Sequence, residues 1–327
     1  MPTAVRAVPA TLAGVLLLAA CGTERNGDPE AGGPVATAQP CPSDSPRYGE
    51  PADAGDEQPG TARASGTPSP LPVTPAEGEV RITGLYAWGA DSGCGAADYS
   101  ADFEVTNDGT KAMTYTITFG FTSGSVGALD DAERTVASVG PGKTAKGTLV
   151  VTSPAVDTPA EVSGVKVVKV RSVPDDEAAS ASGPCPESGL HVYADQGDAA
   201  MGLRAVGLHL VNCGDEDYEL NGYPQVEPLD ENHDAVEGVQ VLQGTSGIST
   251  GLGDDTAGPL VLAPGEAARA TLAWRNTTEA GEPVNAPYAR VRVAPGAAPV
   301  TVIPELDLGT TGELGVGPWT KDTTRTQ

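Results

Sequence analysis

Cations and aromatic rings are scarce in this chain. Its 327 residues carry 19 Lys+Arg against 44 Asp+Glu, a formal charge of −25, and only three Trp, eight Tyr and three Phe. Nucleic-acid recognition starts from a basic patch that neutralises phosphates, and the 19 cations do not cluster, which argues against a nucleic-acid partner. The same charge makes anionic lipid headgroups poor electrostatic partners. Cysteines number five and histidines three, with no C-x-x-C and no His at ligand spacing from a Cys, so no metal site is nominated and no cofactor is implied. No apolar run reaches the roughly 20 residues that a membrane-spanning helix needs. Amphipathic helices of useful length are missing too. Gly and Pro are plentiful, at 42 and 29 residues, which suits short strands, turns and linkers.

The first 20 residues contain one charge, Arg6, then an apolar run from Ala7 to Ala20 that reads as a secretory signal. The run closes on Leu18-Ala19-Ala20-Cys21-Gly22, which looks like a bacterial lipobox: small residues fit the signal peptidase and the Cys21 thiol accepts the lipid. Two or more acyl chains, at about 0.8 kcal/mol per buried methylene, hold a protein stably to a membrane. The expectation is a signal peptide over 1–20, lipidation at Cys21, and a body on the outer face of the cell membrane, outside the cytoplasm.

Cys41, Cys94, Cys185 and Cys213 then remain, an even number in a compartment where disulfides persist. Three connectivities are open. The favoured one, Cys41–Cys94 with Cys185–Cys213, keeps each pair beside or within one predicted domain.

Residues 21–78 read as a disordered tether: 22–78 hold 11 Pro, 9 Gly and one aromatic, Tyr48, without apolar periodicity. From Glu79 the pattern becomes alternation. Val80, Ile82, Tyr86 and Trp88 are expected on one face, followed by Phe103 and Val105, then Tyr115, Ile117 and Phe119. With further strands at 132–139, 144–152 and 162–173, residues 79–173 read as an immunoglobulin-like β-sandwich. An acidic, small-residue linker spans 174–184. A second strand-rich unit covers 185–319, with strands expected at 189–194, 201–212, 217–229, 235–242, 258–262, 267–275, 288–293 and 299–304. The tail 320–327 reads as disordered. The fold class expected is all-β, two tandem immunoglobulin-like sandwiches.

The two units share a local signature. Pro141-Gly142-Lys143-Thr144-Ala145-Lys146-Gly147-Thr148-Leu149 matches Pro264-Gly265-Glu266-Ala267-Ala268-Arg269-Ala270-Thr271-Leu272, and Asn107-Asp108-Gly109 corresponds to Asn212-Cys213-Gly214. Residues 185–319, from Cys185-Pro186 through MGLRAVGLHLVNCG, YELNGYP, LAPGEAARATLAWRN and ELDLG to Pro318-Trp319, resemble the actinobacterial extracytoplasmic module known as domain of unknown function 4232. The resemblance implies a lipoprotein or membrane-anchored setting and a β-sandwich, and no activity. Many members carry a cysteine shortly before the Gly-Tyr-Pro element, where this chain has Tyr218, with Cys213 five residues earlier.

Candidate chemistry is thin, and no catalytic residue is nominated. Gly247-Ile248-Ser249-Thr250-Gly251 fits G-x-S-x-G, but no helix follows it and no histidine lies beyond His233. Ser163-Gly164-Val165-Lys166 fits S-x-x-K inside an alternating strand, where that motif has no use. Asp230-Glu231-Asn232-His233-Asp234 imitates a calcium loop, yet Ala235 stands where Gly is needed and Val241 where the bidentate Glu belongs, so a turn is expected. His191 and His209 alternate with leucines and valines and are expected on exposed faces. Tyr86, Trp88 and Trp274 are expected in the core, which leaves Tyr193, Tyr218, Tyr223 and Tyr288 as candidate exposed ligand contacts. The reading is a lipid-anchored, non-catalytic binding or scaffolding module of the cell envelope whose partner is an envelope protein or a cell-wall glycan. The first alternative is a cell-wall or carbohydrate binder. The second is an envelope hydrolase using Ser249.

Overall fold

The structure, a computed structural model, describes residues 41–42, 69–71, 78–88, 99–124, 127–152, 162–253 and 256–323. The signal segment 1–20, Cys21, Cys94 and most of the tether lie outside the described residues. Cys41 is disulfide-bonded, while the expected Cys41–Cys94 pairing rests on a residue that is not described.

The first half is built from β1 (Ser69–Pro70), β2 (Val80–Ala87), β3 (Tyr99–Thr106), β4 (Met113–Ser123), β5 (Gly127–Val139), β6 (Thr144–Val151) and β7 (Gly164–Pro174). Two antiparallel sheets face each other, β1-β2-β3-β6 and β5-β4-β7. Period-2 alternation turns Phe103 and Val105 of one sheet and Tyr115, Ile117 and Phe119 of the other into a shared core. Phe103 and Phe119 tilt against each other with centroids 4.9 Å apart. One expectation fails for a local reason. A β-bulge between Ile82 and Gly84 shifts the phase of β2, so Leu85 is fully buried and Tyr86 is left partly exposed.

Across the β3–β6 ladder Phe103 faces Gly147, and its ring lies over the glycine, so a Cβ there would clash with Phe103 Cζ. Gly147→Ala is expected to destabilise the protein by about 1–2 kcal/mol, because the displaced ring is packed in a core without slack. Urea denaturation checks this, and a variant as stable as the wild type would show that the ring can move freely.

The second half comprises β8 (Leu190–Ala194), β9 (Asp198–Ala200), β10 (Leu203–Asn212), β11 (Tyr218–Asn221), β12 (Gln225–Leu229), β13 (Gln240–Gln243), β14 (Pro259–Leu262), β15 (Ala267–Arg275), β16 (Asn285–Ala286), β17 (Tyr288–Arg292), β18 (Val300–Val302), β19 (Leu306–Asp307), β20 (Glu313–Val316) and β21 (Thr320–Lys321). One layer is the sheet β13-β20-β15-β10-β8, with β9 and β21 added beside β10 and β15. The other layer is the three-stranded β12-β17-β18 and the two-stranded β11-β14. Leu208, Leu210, Leu272 and Trp274 fill the space between, and Trp274 donates its indole N–H to Asp307 at 2.6 Å.

Strand pairing repeats between the halves. The trio β2-β3-β6 corresponds to β8-β10-β15, and β4 between β5 and β7 corresponds to β11 and β12 beside β14 and β17. The strand expected over 217–229 is split in two, because Gly222 takes a φ of +85° and Pro224 has no N–H for a ladder. The shared Asn-x-Gly and Pro-Gly signatures meet in space. Asn107, 1% exposed, donates its side-chain amide to Lys111 O and Val139 O, both at 2.7 Å, and accepts from Gly109 N at 2.9 Å. Asn212, 2% exposed, donates to Glu216 O at 2.8 Å and Leu262 O at 2.9 Å and accepts from Gly214 N at 3.1 Å. Each asparagine also closes on the Pro-Gly turn, Gly142 N to Asn107 O and Gly265 N to Asn212 O. The two sequence fragments are one device used twice.

Two stretches expected outside the sandwiches carry paired residues. Ser69–Pro70, expected in the tether, pair with Ala87 and Tyr86 as an edge strand. Within the linker, the 3-10 turn Asp175–Glu177 is tied to the second half through the bonds of Glu177 to Arg290 and Thr301, and Ala179 is in that core. Thr320 and Lys321 of the expected tail pair with Arg269 and Ala268.

Candidate functional site

The two sandwiches meet across a charged and aromatic junction. β7 alternates Lys169, Arg171 and Val173, and its outward face meets the turn that carries Glu305. Arg171 Nε and Nη2 reach the two Glu305 oxygens at 2.7 and 3.0 Å, and Nη1 reaches Glu231 at 2.9 Å. Lys169 adds a contact to Glu305 at 3.2 Å. A second clamp joins Glu177 to Arg290 at 3.0 Å and to the Thr301 hydroxyl at 2.9 Å. Burial alone would raise the carboxyls of Glu305 and Glu177, but the guanidinium groups of Arg171 and Arg290 override it and hold both below the ordinary carboxylate range. Between the clamps, Tyr288 packs with Val173 and Leu229, accepts Ser172 N–H at 3.2 Å, and meets the His233 ring edge-on at 4.4 Å.

Two of the open clefts among the described residues bear on ligand binding. One lies at the junction, about 390 Å³, walled by Glu79, Lys111 and Tyr115 of the first half and by His233, Arg290 and Thr301 of the second, among others. The other, about 540 Å³, sits where the Gly222-Tyr223-Pro224 turn leaves the sheet. It is lined by Asn221, Tyr223, Gln225, Gln243, Val226 and Val241 among others, and no charged side chain lines it.

The four candidate tyrosines are not brought together. Tyr223 lines the uncharged cleft. Tyr218 is partly buried against the second core, and burial raises its phenol. Tyr288 and Tyr193, expected to be exposed, are 3% and 5% exposed. Tyr288 is claimed by the junction, and Tyr193 stacks on His209 at 4.9 Å. The histidines differ from expectation in the same way. His191 is buried and bonded to Ser180 Oγ at 2.9 Å, and His209 lies between Asp195 at 3.1 Å and Asp322 at 3.6 Å. Burial would raise Asp195, but bonds from His209 and Gly207 N–H lower it.

Ser249 sits in a turn, its backbone N–H donating to Thr245 O, and its hydroxyl is hydrogen-bonded to none of the three histidines. Asp230 caps its own turn, accepting from Asn232 N at 2.8 Å and Asp234 N at 3.0 Å, and these backbone bonds lower its carboxyl. Cys185 and Cys213 are disulfide-bonded with Cα atoms 5.7 Å apart. The junction residues went unnoticed in the sequence because Arg171 and Glu305 are 134 positions apart and obey no spacing rule. The one available signal was the pair of cations, Lys169 and Arg171, on alternate positions of β7.

These features define a class: an all-β chain of two sandwiches joined by ion pairs. Within it, residues 185–320 match the family described as Domain of unknown function (DUF4232). No curated protein matches the chain. Among solved structures, the crystal structure of red sea bream transglutaminase is 12% identical, the match covering 78% of this chain and 30% of that chain with a TM-score of 0.18. A likeness of that size carries no argument.

Proposed function

We propose that the protein is a membrane-anchored extracytoplasmic lipoprotein that serves as a non-catalytic binding or scaffolding module of the cell envelope, built from two immunoglobulin-like sandwiches. The observation that carries this reading is the coexistence of the lipobox-like run ending at Cys21 with disulfide-bonded Cys41, Cys185 and Cys213, since disulfides persist outside the reducing cytoplasm. Short-range cross-linking in intact cells, with Cys21→Ser as the unanchored control, tests it. A reproducible envelope-protein partner lost in the control supports the reading. Mature protein found unacylated in the culture medium removes its basis.

A second reading, a cell-wall or carbohydrate binder, is favoured by the uncharged cleft. In a chain of net charge −25, an aromatic ring beside three side-chain amides and no ion suits a neutral polyhydroxyl ligand, because amides both donate and accept. Tyr223→Ala is expected to weaken retention on insoluble wall polymer about tenfold, the loss of one aromatic anchor of roughly 1.4 kcal/mol. Unchanged retention would sink the glycan reading and leave the anchored module standing.

A further inference from the structure

The junction cleft holds polar groups for which the protein itself supplies no partner. Tyr115 reaches it from inside the first core: the residue is 1% exposed, and its hydroxyl has no hydrogen-bond partner among the described residues. Burial first, then the carboxylates of Glu79 and Asp108, push this phenol up to about 12, so it stays protonated and can donate. Across the cleft His233, on a turn with φ +64°, has a buried Nε2 that is also without a partner. Leaving the buried His233 Nε2 unsatisfied is costly, whereas the Tyr115 hydroxyl, at the cleft wall, is open to whatever occupies the cleft.

The charges in the cleft point the same way. Glu177 and Arg290 are engaged with each other, whereas Glu79 and Lys111 line the cleft without an ion-pair partner among the described residues. The four formal charges on the lining cancel, Asp108 adds a carboxylate field on Glu79 and Tyr115, and Lys111, which forms no ion pair, acts on Glu177 through its field alone. An anion would meet Glu79 and a cation would meet Lys111. A molecule carrying one charge of each sign satisfies both.

We propose that the cleft between the two sandwiches binds a small zwitterion of the amino-acid or dipeptide class, with its carboxylate held by Lys111 and the Tyr115 hydroxyl and its ammonium held by Glu79. This goes beyond the anchored-module reading and does not depend on it, because the site is complete in the unanchored chain. The space of about 390 Å³ accommodates a ligand of that size.

Isothermal calorimetry and thermal melting on the purified Cys21→Ser chain test it. The probes are L-alanine and L-alanyl-L-alanine, with N-acetyl-L-alanyl-L-alanine and L-alanyl-L-alaninamide as forms lacking one charge. At least one zwitterion is expected to bind and raise the melting temperature, and both capped forms to bind about tenfold more weakly. Tyr115→Phe is expected to weaken binding at least fivefold while leaving the melting temperature of the free protein unchanged or higher, since it deletes an unpartnered hydroxyl. Lys111→Ala and Glu79→Gln, both on the exposed rim, are expected to weaken binding without destabilising the fold. No binding by either zwitterion, equal binding of the capped forms, or wild-type affinity in Tyr115→Phe would each overturn the proposal.

Discussion

Asn212→Ala is expected to destabilise the second sandwich by about 2–4 kcal/mol, and Asn107→Ala the first by a similar amount. Each side chain is itself buried and satisfies two backbone carbonyls and one N–H, the bonds to Val139 O and Leu262 O being buried and the others part-buried. Alanine fills less space and leaves those groups without their partner, at about 1–3 kcal/mol for a buried unsatisfied group. Asn→Asp at either site is expected to be at least as damaging, since a carboxylate turns acceptor lone pairs towards two carbonyl oxygens where the amide presented hydrogens. Urea unfolding of the four single variants measures this. A loss below about 1 kcal/mol in both alanine variants would show that the bracket decorates the turn and does not hold it.

The second large effect belongs to the junction. Arg171→Ala is expected to cost about 2–3 kcal/mol, because it leaves Glu305 with Lys169 as its one cation, frees Glu231, and removes the cation lying 5.9 Å from the centroid of Tyr288. This is set below the value for a fully buried pair because the Glu305 side chain is 35% exposed. Lys169→Ala, whose partner is shared and whose own side chain is 38% exposed, is expected to cost under about 1 kcal/mol.

Acid should act on the same contacts. Glu305 and Glu177 are depressed in the folded protein relative to an ordinary value of 4.5, so their stabilising contribution is complete above that pH and is lost as pH falls through their lower folded values. Melting temperature is expected to fall on acidification below about pH 4.5, and more gently in Arg171→Ala, where Glu305 has no guanidinium to lose. Parallel acid slopes in the two proteins would show that the clamp carries no part of the acid response.

Much of the architecture was legible because strands with one buried face must alternate. Phe103, Val105, Tyr115, Ile117 and Phe119 fall inward as period-2 spacing requires, and turns fall where Gly and Pro permit them. Alternation fails where a single extra residue intervenes, as at the Ile82/Gly84 bulge that exchanges Tyr86 for Leu85. It fails too where a positive φ at Gly222 divides one strand into two. The repeated Asn and Pro-Gly fragments were visible as strings, but only folding shows that they touch.

The candidate site was far less legible. Tyr193 and Tyr288 look like free surface rings in the sequence, and both are consumed by packing, one on His209 and one at the junction. The all-β class, the main alternating strands, the excess of acid and the match over 185–320 are properties of local order and composition, so the sequence by itself determined them. Which charges pair, which tyrosine stays at a cleft and which hydroxyl is left without a partner depend on segments far apart in the chain, 134 positions for Arg171 and Glu305, meeting in space. Tertiary structure alone decided those, because burial and hydrogen bonding act on three-dimensional neighbours and chain spacing carries no record of them.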